Sequence, residues 1–159
     1  MDKDLFQIWL DKKEESLWVK RALTDKSFNA YRCKGVRKSH PKYEELHEPL
    51  PTNCDLATYG DAVIKLCYSE LLLDNVSELT IEKSKYESDE YLVKYVARHY
   101  ELLKFIDKDK EDVKMPDNYD CVMSSKYIAT AVEAMIGAIY KEINDLEPII
   151  ELLKTWMQF

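Results

Sequence analysis

Two stretches of this chain leave it few options for folding. LATYGDAVIKLCYSELLL spans residues 56–73 and KYIATAVEAMIGAIY spans residues 126–140. Both carry apolar side chains at helical spacing over four or more turns, and neither alternates at period two. Each also holds a glycine inside its apolar run, Gly60 and Gly137, and the chain has only three glycines in 159 residues. A glycine in a helix interior costs about 1 kcal/mol relative to alanine. Close approach of a second backbone, where a Cβ would not fit, offsets that cost. The expectation is two buried helices that cross at their glycines.

Each glycine has an acid beside it. At about 100° per residue, Asp61 shares a face with Ala57, Ile64, Tyr68 and Leu72, and Glu133 with Ala129, Ile136, Gly137 and Tyr140. A desolvated carboxylate without a partner costs several kcal/mol or takes up a proton. The two acids are therefore expected to share a partner. Lys65 and Lys126 are candidates. A divalent cation suits better, since Mg²⁺ accepts one or two protein carboxylates and keeps several waters.

The rest of the chain reads as all-α, one domain over residues 1–159. Helices are expected over residues 3–13, 14–27, 76–88, 88–106 and 145–159, with Pro148 in the first turn of the last. Asn53 or Asp55 is the expected N-cap of the helix at 56–73. Residues 29–53 read as a basic, irregular connection with a helical turn at 43–47, and residues 107–120 as a polar loop. No apolar run reaches the roughly 18 residues of a membrane span, and the acidic start MDKDLFQIWL lacks a signal-peptide layout. Cys33, Cys54, Cys67 and Cys121 show no metal-ligand spacing. They are expected to be reduced thiols of a cytoplasmic protein, with Cys54 a small apolar filler. His40, His47 and His99 are expected to be surface or packing residues.

The net charge is −7, unevenly spread. Residues 20–42 hold eight Lys/Arg against one Asp, and within them YRCKGVRKSHPK supplies Arg32, Lys34, Arg37, Lys38 and Lys42 with no acid. This is either a solvated basic loop or a contact surface for phosphates.

Four segments resemble the ribonuclease III family, in family order. LATYGDAVIKLCYSELL resembles its signature helix, N-E-R-L-E-F-L-G-D-A-V-L, and KYIATAVEAMIGAIYKE resembles K-I-L-A-D-x-x-E-A-L-I-G-A-I-Y-L-D. LWVKRALTDKSFN resembles L-x-x-A-L-T-H-R-S, and YVARHYELLKFI falls at the family's L-A-x-I-A-R-E-L helix. The resemblance spans residues 14–143 and covers the endonuclease domain only, with no double-stranded-RNA-binding domain after it. It implies an all-helical homodimer, joined through the signature helices, that hydrolyses double-stranded RNA with Mg²⁺ or Mn²⁺.

By the same resemblance Asp61 and Glu133 are the catalytic carboxylates and metal ligands. Two further site acids of the family fall on Ala57 and Thr130, and a third nearby acid on Cys54. The stand-alone Mini-ribonuclease III group also has alanine and threonine at these places, in A-L-A-Y-I-G-D-A and S-T-A-F-E-A-L-L-G. That group is active and matures ribosomal RNA, which implies a comparable RNA-processing role here. Thr130, one turn before Glu133, is expected to hold a water of the site. The basic residues would hold the duplex. Two other readings compete: an inert ribonuclease III fold that binds RNA or ribosomes, and an unrelated all-α dimerisation module whose basic segment binds an acidic partner.

Overall fold

The computed structural model describes residues 2–111, 118–120 and 125–159. Among them the regular structure is helical, with one isolated parallel bridge between Thr24 and Asp107. The helices are α1 (Leu5–Leu10), α2 (Leu17–Ala22), α3 (Phe28–Cys33), α4 (Tyr43–His47), α5 (Cys54–Leu72), α6 (Leu79–Glu87), α7 (Asp89–Tyr91), α8 (Lys126–Ile143) and α9 (Glu147–Trp156). None is long and apolar enough to cross a membrane.

The two stretches that dominate the sequence dominate the core. α5 and α8 pack along each other, with α2 against α8, and α6 and α9 against α5. Their crossing is backbone on backbone. A Cβ added at Gly60 would lie 1.7 Å from the carbonyl oxygen of Glu133, and one added at Gly137 would lie 2.7 Å from that of Leu56. No side chain fits either place. α8 ends at Asn144, which adopts left-handed φ of 49°, a conformation asparagine tolerates better than most residues. Pro148 sits in the first turn of α9, as expected.

A second cluster closes the far end of the core. Phe6 lies 4.4 Å from the Tyr100 ring and 5.4 Å from Trp156. The Tyr100 hydroxyl donates to Asp4 at 2.5 Å and accepts from Trp156 Nε1 at 2.9 Å. The Tyr91 hydroxyl donates to the Trp156 carbonyl at 2.5 Å. These bonds fasten both ends of the chain to its middle and satisfy polar groups that burial would otherwise penalise.

Several boundaries differ from the sequence reading. The first two helices are shorter, Leu5–Leu10 and Leu17–Ala22, and are capped by the Asp4 and Ser16 side chains. α2 stops short of Ser27 because the next residues bond elsewhere: Asp107 N–H donates to Leu23 O and Asp25 N–H to Asp107 O, each at 2.8 Å. The connection at 29–53 overlaps a helix, α3, besides the expected turn α4. α3 buries no residue and so shows no apolar period.

The expected single helix over 88–106 is also broken. α7 widens into a π-helix over Leu92–Ala97 and breaks at Glu101, whose φ is 50°, before a 3₁₀ turn at Leu102–Lys104. In a straight helix Leu102 would point about 200° away from Tyr100. The break turns it inward, and Leu102 is fully buried. Asn53 occupies the position before α5 but makes no side-chain cap. Its amide donates instead to the Ala22 carbonyl at 3.2 Å.

Candidate active site

Where α5 and α8 leave their glycine crossing, Asp61 and Glu133 line one cleft of about 600 Å³. The crossing itself sets this: the backbone of Glu133 is what Gly60 packs on, and Asp61 is the next residue. Cys54, Ala57, Thr58 and Lys65 of α5 and Lys126 and Thr130 of α8 complete two walls. The third comes from the junction of α6 and α7 and includes Glu87, Ser88 and Asp89.

The two acids have different surroundings. Asp61 takes one of the two lysine candidates as its partner: it accepts from Lys65 Nζ at 2.6 Å, one turn along the helix. The helical period that places Asp61 on an apolar face also places Lys65 within reach of it. Both side chains remain partly exposed, 32% for Asp61 and 52% for Lys65, so the pair contributes well under about 1 kcal/mol. The hydrogen bond to Asp61 also holds the Lys65 ammonium above its ordinary pKa.

Glu133 has no hydrogen-bond partner among the described residues. Burial first, then the Asp61 and Asp89 carboxylates, push its pKa up to about 7, against the opposing pull of Lys65 and Lys126. A half-buried carboxylate facing two others is held partly neutral, by desolvation first and by its neighbours' charge second.

Asp89 and Glu87 escaped the sequence reading. Asp89 follows the capping Ser88 and looks like an ordinary first-turn acid; only the fold turns it towards Glu133. Glu87 is engaged by Lys83 at 2.6 Å, with both side chains largely covered. Thr130 lines the cleft as expected, its hydroxyl donating to the Lys126 carbonyl at 3.0 Å. Ala57 and Cys54 line it as well, in places where the resemblance puts acids. Among the described residues no three His, Cys, Asp or Glu side chains are grouped closely enough to hold a metal ion together. Asp61 and Glu133, two facing acids of the cleft, nonetheless match the sparse protein ligation of Mg²⁺.

The basic segment divides. Arg32 is half-buried and donates to the carbonyls of Glu48 (3.0 Å) and Glu45 (3.4 Å), so it fastens α3 to α4. Lys34 pairs with Glu111 at 2.5 Å, which raises the lysine pKa. Arg37, Lys38 and Lys42 are exposed. None of the five lines the cleft. His47 stacks on Tyr43 and His99 on Phe159, both packing roles. Cys33, Cys54 and Cys67 are free thiols; Cys121 lies outside the described residues, as does most of the loop over 112–124.

Comparison with known proteins agrees with this arrangement. The family model described as the ribonuclease III domain matches residues 55–143, the span from the start of α5 to the end of α8. The nuclease domain of ribonuclease III from Campylobacter jejuni, solved in a study of flexibility in the region involved in its dimer formation, superposes with a TM-score of 0.58. It is 24% identical, over 96% of this chain and 91% of that one, a level at which the likeness speaks for the fold. No curated protein sequence matches. The family model thus covers the helix pair that crosses at Gly60 and Gly137 and carries Asp61 and Glu133, and the chain belongs to the ribonuclease III domain family.

Proposed function

We propose that residues 1–159 act as one catalytic unit, a divalent-cation-dependent endoribonuclease that cuts double-stranded RNA as a homodimer in the cytoplasm. The observation that carries this reading is the convergence of Asp61 and Glu133 in one cleft, where burial first and then the neighbouring carboxylates raise the Glu133 pKa. Such a pair is complementary to a cation. A divalent ion held by Asp61 and Glu133, Mg²⁺ or Mn²⁺, would supply Lewis-acid activation of the phosphodiester and of the attacking water. The chain's own residues do the rest. Thr130 orients a water at the cleft wall, and Lys126 offers a cation for a phosphate oxygen. Arg37, Lys38 and Lys42 hold the duplex backbone without reading sequence.

The dimer reading rests on the outer face of α5. Leu56, Val63 and Cys67 are covered by the domain itself. Ala62 stays exposed, as do Leu66 (47%) and Leu73 (56%). A second copy of α5 would cover this strip.

The test is cleavage of an end-labelled RNA duplex with Mg²⁺ and with chelator, alongside Asp61→Asn and Glu133→Gln. Cleavage that needs Mg²⁺, leaves 5′-phosphate ends, and falls at least about 100-fold in both variants supports the reading. Full activity of either variant overturns the assignment. Ribosomal RNA precursors are the first natural substrates to try. A second reading has its own support: Ala57, Cys54 and Thr130 replace acids, and Lys65 already occupies Asp61. An inert RNA-binding member of the family would retain the duplex in either condition and cut it in neither.

A further inference from the structure

The cleft contains a cation of its own. Lys65 Nζ lies 2.6 Å from Asp61 Oδ2 and lines the same walls as Glu133, Ala57 and Thr130. At Ala57 and Thr130 the cleft has a methyl and a hydroxyl, so neither can offset a second divalent charge. Asp89 is turned towards Glu133, and Glu87 is already neutralised by Lys83. Asp61, Glu133 and Asp89 supply three negative charges at most, and Lys65 on Asp61 and Lys126 offset part of them.

We propose that Lys65 is a resident cation of the site: with Ala57 and Thr130 uncharged and the Lys65 ammonium on Asp61, the cleft takes one divalent ion per protomer and takes it in competition with Lys65. This rests on the reading of Asp61 and Glu133 as cation ligands. Two features of Lys65 fit the role. Its ion pair with Asp61 is formed within one helix turn, so it needs no other element of the cleft to form. Its side chain is half exposed, so the ammonium can swing from Asp61 to a phosphate oxygen when Asp61 turns to the ion. A buried, fully bonded lysine could not do this.

The test is a Mn²⁺ titration of the purified protein, reading free Mn²⁺ by electron paramagnetic resonance, with no RNA present. Wild type should bind one Mn²⁺ per protomer. Lys65→Met removes the competing charge and should tighten binding by about tenfold, since a unit positive charge a few ångströms from a divalent ion repels it even in water-like surroundings. Lys65→Arg keeps the charge and should stay within about twofold of wild type on the same argument. On duplex RNA, Lys65→Met should lower kcat despite its tighter Mn²⁺ binding, and a merely structural lysine would not produce that split.

Two Mn²⁺ per wild-type protomer would overturn the proposal. So would a Lys65→Met variant that binds Mn²⁺ no more tightly than wild type. Asp61→Asn and Glu133→Gln, run in parallel, separate the two levels of the argument. If they bind Mn²⁺ as wild type does, the cation site itself is misplaced. If they lose it while Lys65→Met is unchanged, only the role of Lys65 falls. Because Lys65 is exposed on α5, its substitution should leave the thermal melt near that of wild type, which confirms that folded protein is being measured.

Discussion

The cleft between α5 and α8 and the basic segment around α3 and α4 both look functional in the sequence, but they are built on different principles. The cleft is anchored by a crossing so close that a Cβ at Gly60 would overlap a backbone oxygen. The positions of Asp61 and Glu133 follow from it with almost no freedom. The basic segment has two short helices that pack on each other, no buried residue in either, and contacts made largely by side chains reaching backbone carbonyls. One region places charges by steric necessity. The other displays them on a surface that can adjust to a polyanion.

Predictions that test this contrast run from the crossing outward. Gly60→Ala should have the largest effect. It gains about 1 kcal/mol of helix propensity but must separate two packed backbones, so a net loss of about 3 kcal/mol or more, or failure to fold, is expected. A thermal melt followed by circular dichroism measures it. An alanine variant as stable as wild type would mean that the two backbones are not in contact.

Glu133 gives a smaller effect with a defined pH signature. Its pKa is about 7 in the folded protein and about 4.3 in an unfolded chain. The folded state therefore binds the proton more tightly. This contribution to stability is fully present below the unfolded pKa and is lost as pH rises through about 7. Metal-free wild type should lose roughly 1–2 kcal/mol across that window, less than the full shift implies because the cleft is open to solvent. Glu133→Gln should not show this loss and should be the more stable protein at pH 8. Denaturant melts at pH 4.5 and pH 8, with chelator present, would show it. Parallel pH profiles for the two proteins would mean that Glu133 is not desolvated.

Arg32→Ala should cost about 1 kcal/mol, the scale of a charged donor lost from two carbonyls, and should raise hydrogen exchange in α3 and α4 without reaching α5. If exchange in α5 rises as well, the two regions are more tightly coupled than their packing indicates.

Changing Arg37 and Lys38 together to Ala should leave stability within about 0.5 kcal/mol. Its effect should be on RNA: a higher KM, a shallower salt dependence and little change in kcat, because only duplex attraction is lost. An unchanged KM and salt slope would put the RNA path elsewhere on the protein.

Much of this was legible in the sequence, for identifiable reasons. α5 and α8 bury nearly continuous apolar surface, so their period survives in the sequence. Gly60 and Gly137 announce a close crossing because glycine is otherwise costly in a helix. Asp61 and Glu133 stood out because each lies beside one of those glycines on an apolar helix, and Thr130 joined them only through the resemblance to the ribonuclease III family. α3 was not legible, because a helix that buries nothing leaves no period. The break at Glu101 was not legible either: what stops that helix is the inward demand of Leu102 and the anchoring of Tyr100 by Asp4 and Trp156, residues distant in sequence.

Charges are where tertiary structure decided most. The local sequence determined that Lys65 could reach Asp61, since four residues of helix bring them to one face. Arg32 and Arg37 look alike in the sequence, yet Arg32 is used to hold α3 against α4 while Arg37 is left to solvent. Asp89 looks like any acid at a helix start, yet the packing of the chain around α8 turns it towards Glu133. Helical period and glycine cost act over a few residues, so they are written along the chain. The field at a carboxylate sums over charges from every segment folded around it, and only the folded chain brings those segments together.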